Sequence, residues 1–245
     1  MLHWLNSRLF YPLIALSGVA LGLFYLWAVV IGPWDGPRLP LNLFLAWMPY
    51  LAALMGIAAH QRVPQQRWLF RFIFIVWLIF FPNAPYLITD WLYLPGWQSH
   101  LWYTIILLTA FTICGLMLAA VSLHLMQTVI TLRAGRTAGT IVCVIALVLS
   151  GAGVYLGRFL RLNSWDLFTH PRTVLSEAWE TIQNQQDHTG LIGFSALFAL
   201  LLGATYYAIV SLRRTDWSRE EYGVWSQSHR RPHDSGSRHH RSDGV

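Results

Sequence analysis

A run of 23 residues without a charged side chain, Leu9 to Ile31, constrains this chain more than any other feature. About 20 apolar residues are enough for a helix to cross the ~30 Å hydrocarbon core of a bilayer. The apolar region of a secretory signal is shorter, about 7–15 residues. The run therefore predicts a first transmembrane span that is retained in the protein.

The rest of the sequence continues this pattern. Hydrophobic residues make up 55% of the chain and charged residues only 11%, whereas a soluble domain carries about a quarter charged residues. The alternating ten-residue strands of a transmembrane barrel are not evident. The predicted fold class is therefore all-α, a polytopic transmembrane bundle of six spans within residues 1–212. The five further spans are predicted at Asn42–Ala59, Trp68–Leu87, Leu101–Val129, Ala138–Tyr155 and Gly190–Leu212.

Residues 213–245 form a tail of different composition, rich in arginine and histidine. A segment this polar cannot bury a hydrophobic core, so we expect it to be disordered. Its arginines are expected to lie against anionic lipid at the cytoplasmic membrane surface. The tail contains no nucleic-acid-binding motif, so we expect membrane lipids and not nucleic acid as partners.

The arginines indicate how the spans are oriented, because the chain contains no lysine. With six spans, nine arginines near the membrane fall on the side of the two termini and four on the opposite side. Cytoplasmic loops carry the excess of basic residues, so both termini are expected in the cytoplasm. The nine arginines are Arg8, Arg62, Arg67, Arg71, Arg133, Arg136, Arg213, Arg214 and Arg219.

The third span is interrupted by the sequence FFPNAPYLITDW, residues 80–91. The run from Trp68 to Phe81 supplies 14 residues, or about 21 Å of helix, which is short of the bilayer by about a third. Pro82 and Pro85 each leave a carbonyl without its helical donor, and lipid cannot replace that donor. The segment is therefore expected to face the bundle interior. It is either a proline kink in which Asn83 bonds a freed carbonyl, or a discontinuous helix that lines a polar cavity.

Polar residues mark the outer ends of the third and fifth spans. Asp90 follows the proline break, and an ionised aspartate in hydrocarbon costs about 2.5–3.5 kcal/mol, so it requires a cation or water. The sequence GRFLRLNSWD, residues 157–166, supplies Arg158 and Arg161 on one helical face. Because the topology puts both segments at one membrane face, we expect a single polar site there. The same stretch adds Asn163, Ser164 and Asp166.

The motifs PNAPYLITD and GRFLRLNSWD together resemble the bacterial membrane family catalogued as domain of unknown function 1361. The resemblance covers the chain from Leu41 to Leu212 and omits the arginine-rich tail, and neither motif departs from the family pattern. It implies an integral protein of the bacterial inner membrane in which these two segments are characteristic. It implies no activity, because none is established for the family.

Three functions are compatible with such a site. In the favoured one, the protein binds or moves an anionic amphiphile, a phospholipid or a lipid-linked intermediate, whose phosphate contacts Arg158 and Arg161. In the second, it is a membrane-embedded enzyme of envelope or lipid metabolism, with Asp90 and Asp166 as general acid and base or nucleophile. In the third, it is a structural accessory subunit. Whether the chain is an enzyme is left open. The ligand-binding candidates are Asn83, Tyr86, Arg158, Arg161, Asn163 and Ser164.

The remaining reactive residues form no recognisable site. The sequence lacks H-E-x-x-H, CxxC and phosphate-loop patterns, so no metal or cofactor is expected. His124 falls inside the fourth span and is expected to hydrogen-bond another helix. The stretch PRTVLSEAWETIQNQQ has an apolar stripe from Val174 to Ile182, which predicts a short amphipathic helix on the outer membrane surface.

Overall fold

Apolar helices dominate the part of the chain that the computed structural model describes, residues 2–96, 100–159, 169, 171–183 and 185–228. Secondary structure in these residues is entirely helical, which confirms the all-α class. The helices are α1 (Leu2–Val30), α2 (Leu39–Arg62), α3 (Arg67–Phe80), α4 (Asn83–Tyr86), a 3₁₀ segment (Leu87–Gly96), α5 (Leu101–Ala134), α6 (Arg136–Phe159), α7 (Pro171–Gln183) and α8 (Gln185–Ser228).

Among the described residues, six helical stretches are long and apolar enough to cross a membrane, which confirms the predicted number of spans. The third is longer than Trp68–Leu87, because α4 and the 3₁₀ segment carry the chain through the proline break as far as Leu94. The helix predicted around Val174–Ile182 is α7. The six spans are Phe10–Val30, Leu39–Arg62, Arg67–Leu94, Leu101–Ala134, Arg136–Phe159 and Thr189–Ser211.

The chain divides into two compact units, residues 1–207 and 208–245. The candidate site lies in the first unit. In the second, residues 208–228 are helical. The tail predicted to be disordered, residues 213–245, is thus helical as far as Ser228. Residues 229–245 lie outside the described residues, so their disorder stays a prediction.

α5 is the central helix of the first unit. It packs against α1, α2, α4, the 3₁₀ segment and α6. Polar side chains connect it to its neighbours, since Trp77 Nε1 donates to Ser122 Oγ over 2.8 Å. His124 Nδ1 lies 3.3 Å from the Tyr206 hydroxyl on α8, so this histidine contacts another helix as the sequence predicts. These bonds satisfy polar groups that lipid cannot.

Two glycines allow the broken third span to approach its neighbours closely. A Cβ on Gly115 of α5 would collide with the backbone carbonyl of Ala84 and lie 2.8 Å from the Leu87 side chain. A Cβ on Gly153 of α6 would lie 2.7 Å from the ring of Pro82. The proline break is therefore held tightly by α5 and α6, and this close packing brings the ends of the third and fifth spans together.

Candidate functional site

Two carbonyl groups at the proline break accept hydrogen bonds from residues of the break itself. α3 ends at Phe80, whose carbonyl accepts a hydrogen bond from Asn83 Nδ2 over 3.0 Å. The carbonyl of Phe81, the one freed by Pro85, accepts from the Ala84 amide over 3.2 Å. Asn83 therefore bonds a carbonyl at the end of α3, but the carbonyl of Phe80 is not one of the two that the prolines were expected to free. After this turn the chain continues as α4 and then as the 3₁₀ segment, which turns its polar residues into the bundle.

Asp90 lies in the 3₁₀ segment with its side chain fully buried. Its Oδ1 is 2.5 Å from Arg158 Nη2 near the end of α6. Its Oδ2 accepts a hydrogen bond from Asn42 Nδ2 of α2 over 3.3 Å. One carboxylate therefore joins three spans, and both of its oxygens are occupied.

Arg158 is fixed by contacts on several sides. Its Nε donates to Thr89 Oγ1 over 2.9 Å, and its Nη2 donates to the same oxygen and to Asp90. Its guanidinium carbon lies 4.5 Å from the ring centroid of Tyr86 and 5.2 Å from that of Tyr93. Stacking on aromatic faces is favourable for a guanidinium, and more so where water is excluded. The Arg158 side chain is 7% exposed.

Within the described residues, one edge of this guanidinium makes no hydrogen bond. Nε and Nη2 carry the hydrogen bonds just given, and Nη1 donates to no residue in the described part of the chain. A guanidinium has five N–H donors in a fixed fork, which matches carboxylate and phosphate oxygens. The arrangement therefore presents an oriented donor that is already anchored.

Burial makes the ion pair costly to break. Paired buried charges offset each other, but removal of one partner leaves an uncompensated charge and destabilises by about 3–5 kcal/mol. The Asp90–Arg158 pair therefore holds the third span to the fifth, whatever else it does.

The structure brings together three of the residues singled out in the sequence, Asp90, Arg158 and Tyr86. Asn83 lies one turn earlier, at the break. The other four candidates, Arg161, Asn163, Ser164 and Asp166, lie outside the described residues, as does the pairing of Asp166 with either arginine. That half of the predicted network stays a prediction.

Three residues of the site were missed by sequence reasoning: Asn42, Thr89 and Tyr93. Asn42 had a usable signal, because it is the only amide side chain between Leu39 and Ala59. Thr89 adjoins Asp90 within the quoted motif, but a threonine beside an aspartate is too common to indicate a partner. Tyr93 belongs to an aromatic-rich stretch that also fits an interfacial belt.

A comparison with protein families gives a match to the central part of the chain. The model of the family described as protein of unknown function, DUF1361, matches residues 41–205. This region contains the proline break, Asp90 and Arg158. No curated protein and no solved structure matches the chain.

Proposed function

Because this chain belongs to the DUF1361 family, whose function is unknown, we propose a function from its own site: it binds the headgroup of an anionic amphiphile. The ligand class is a phospholipid or lipid-linked intermediate of the bacterial inner membrane. The binding site is at the outer end of the third and fifth spans, and both termini are cytoplasmic. The observation that carries the proposal is the Arg158 guanidinium, which is anchored on one edge and has Nη1 without an acceptor among the described residues.

Preorganisation supports this role for Arg158. A free arginine side chain loses rotamer entropy when it binds a ligand, whereas this one is already held by Thr89 and two aromatic rings. Asp90 neutralises its charge, so attraction of an anion depends on a further cation. Arg161, three residues later in the sequence, is proposed to be that cation, as a second contact for the phosphate.

Asp90 is a positioning residue in this proposal. Its carboxylate is fully buried, and its two oxygens accept from Arg158 and Asn42. A general acid or base must reach the proton that it transfers. This geometry supports binding better than the enzymatic alternative, in which Asp90 and Asp166 react with a substrate.

A structural accessory role is the second candidate. It is favoured by the burial of the same ion pair and by the way Asp90 joins three spans. In this alternative Arg158 contributes only to the stability of the fold, and no ligand binding depends on it.

Native mass spectrometry of the detergent-purified protein distinguishes the two candidates. Arg158→Gln alone leaves Asp90 unpaired, so the informative variant is the neutral pair Asp90→Asn with Arg158→Gln. Phosphatidylglycerol is the anionic probe and phosphatidylcholine the zwitterionic comparison. The control variant is Arg38→Gln, which removes one positive charge from an exposed position elsewhere on the outer side.

We expect wild type and Arg38→Gln to retain a phosphatidylglycerol adduct that the neutral pair loses. Asp90→Asn alone should retain it or bind it more tightly, because Arg158 then keeps its full charge. If the folded neutral pair binds phosphatidylglycerol like wild type, the binding proposal is wrong and the structural role stands.

A further inference from the structure

A second arginine, Arg133, lies at the opposite end of the bundle, where four helix ends meet. Its Nε donates to His60 Nδ1 of α2 over 3.1 Å. Its guanidinium carbon lies 4.2 Å from the ring centroid of Phe70 on α3. Gly135, with φ of +91°, forms the turn that starts α6 directly after α5. Four helix ends thus lie together at this end of the bundle: the last turns of α2 and α5 and the first turns of α3 and α6.

The two connections at this end of the bundle, from α2 to α3 and from α5 to α6, are positively charged. Residues 60–71 and 131–140 contain no aspartate or glutamate. Arg158 has Asp90, but the side-chain contacts of Arg133 in the described residues are with an imidazole and an aromatic ring. The four other arginines of these two stretches are exposed: Arg62, Arg67, Arg71 and Arg136.

The Arg133 guanidinium also holds an unused donor. Its Nη2 is buried and makes no hydrogen bond to any residue of the described ranges. Buried donors in native proteins nearly always have a partner, and an exception points to a missing acceptor. Because His60 accepts through Nδ1, its neutral ring carries the proton on Nε2, which is a further donor.

We infer that this face, defined by His60, Phe70 and Arg133 with the four surrounding arginines, binds the phosphodiester headgroup of an anionic phospholipid. Arg133 is the central contact, and the other arginines supply the long-range attraction. Two apolar side chains near this end of the bundle are exposed: Trp68 is 68% exposed and Leu132 58% exposed. Exposed apolar groups beside cations suit a ligand with a phosphate and an acyl chain, and an exposed tryptophan is typical of the membrane boundary. Anionic lipids are the anions available at that depth.

The test counts lipids on the full-length protein. Native mass spectra are recorded with phosphatidylglycerol, with phosphatidylcholine and with inorganic phosphate alone. Arg133→Gln removes the charge and the fork, whereas Arg133→Lys keeps the charge but not the bidentate geometry. Arg38→Gln is the matched control on the opposite face. Intrinsic fluorescence melts confirm that each variant is folded before its spectra are compared.

We expect phosphatidylglycerol binding at this face to weaken about tenfold in Arg133→Gln and measurably in Arg133→Lys, because an oriented charge-assisted bond is lost. Arg38→Gln should bind like wild type. Binding of phosphatidylglycerol in Arg133→Gln equal to that in Arg38→Gln overturns the inference. Displacement of the lipid by inorganic phosphate would also overturn it, since the site would then take the free anion.

The two arginine sites are separable in the same spectra. The neutral Asp90/Arg158 pair should lose one adduct and Arg133→Gln another, so that their combination loses both. If the neutral pair loses none while Arg133→Gln loses one, the proposed function is wrong and this inference survives. The converse pattern rejects the inference and keeps the proposed function.

Discussion

At the residue scale, Thr89 shows how a single hydroxyl can orient a cation. Its Oγ1 donates to the carbonyl of Tyr86 over 2.6 Å, which uses its only hydrogen. The lone pairs of the same oxygen are then left for Nε and Nη2 of Arg158. The 3₁₀ segment therefore presents a fixed acceptor beside the Asp90 carboxylate, and the guanidinium has one preferred position.

Replacement of Thr89 by valine should destabilise the protein by about 1–3 kcal/mol, because a buried guanidinium loses its neutral acceptor. Thr89→Ser keeps the hydroxyl and should stay within about 0.5 kcal/mol of wild type. Thermal unfolding in detergent, followed by tryptophan fluorescence, measures both. Equal melting temperatures for the serine and valine variants would show that the hydroxyl is not needed.

The ion pair itself should be strongly coupled. Each single variant, Arg158→Gln or Asp90→Asn, should lower the free energy of unfolding by about 3–5 kcal/mol, since each leaves a buried charge without its partner. The double variant should recover most of that loss, because two neutral amides remain. A double-mutant cycle from fluorescence melts gives the coupling energy. If the losses of the two single variants simply add up in the double variant, the two residues do not interact as a buried pair.

Sequence reasoning predicted that Asp90 needs a cation from the end of the fifth span, but it left open which arginine and did not find the surroundings of the pair. Asp90 and Arg158 could be matched because each is a rare charge that needs a partner within the membrane. Asn42 and Thr89 carry no charge, so nothing in the sequence requires them to have one particular partner. Their contacts with Asp90 and Arg158 span 48 and 69 residues, and only the packing of helices determines such contacts.

At the element scale, the break in the third span depends on close helix packing. Gly115 and Gly153 leave room for the Leu87 side chain and the Pro82 ring. Small residues are favoured where transmembrane backbones approach closely, because van der Waals contact drives their association.

Gly153→Ala should therefore destabilise by about 1–3 kcal/mol, since its new methyl group would lie 2.7 Å from a rigid proline ring. Gly18→Ala in α1 is the matched control, because no atom lies within 4 Å of the added Cβ. The control should match wild type or exceed its stability by a few tenths of a kcal/mol, as alanine favours helix. Similar melting temperatures for the two variants would show that α6 does not approach the break this closely.

The sequence predicted this break and its position, because two prolines inside an apolar run interrupt the hydrogen bonds of a helix. It did not predict the 3₁₀ segment from Leu87 to Gly96. Runs of 3₁₀ helix longer than three or four residues are uncommon, so this one depends on tertiary contacts. One such contact is the 3.1 Å bond from Trp91 Nε1 to Thr112 Oγ1 of α5.

At the scale of the whole molecule, the number of spans was predictable and their orientation is the next question. Apolar length alone identifies a span; six were expected, and the described part of the chain contains six. Orientation rests on the distribution of arginines, which the bundle itself does not reveal.

Single cysteines at positions 38 and 62 test the orientation, in a protein whose buried Cys114 and Cys143 are replaced by alanine. Both positions are exposed. A membrane-impermeant maleimide added to intact cells should label Arg38→Cys, whereas Arg62→Cys should react only after permeabilisation. The reverse pattern would place the termini outside and would exchange the membrane faces of the two arginine sites.

The fifth span has a consequence for the membrane that the protein prefers. Arg136 and Arg158 delimit α6, and the residues between them carry no charge. The 22 residue steps separate the two arginines by about 33 Å along the helix axis, close to the ~30 Å of an average hydrocarbon layer. Asp90 holds one end of this rod and the glycine turn after α5 holds the other. Because neighbouring segments hold both ends of α6, we expect this helix to tilt little in response to hydrophobic mismatch and the protein to be most stable in bilayers of matching thickness.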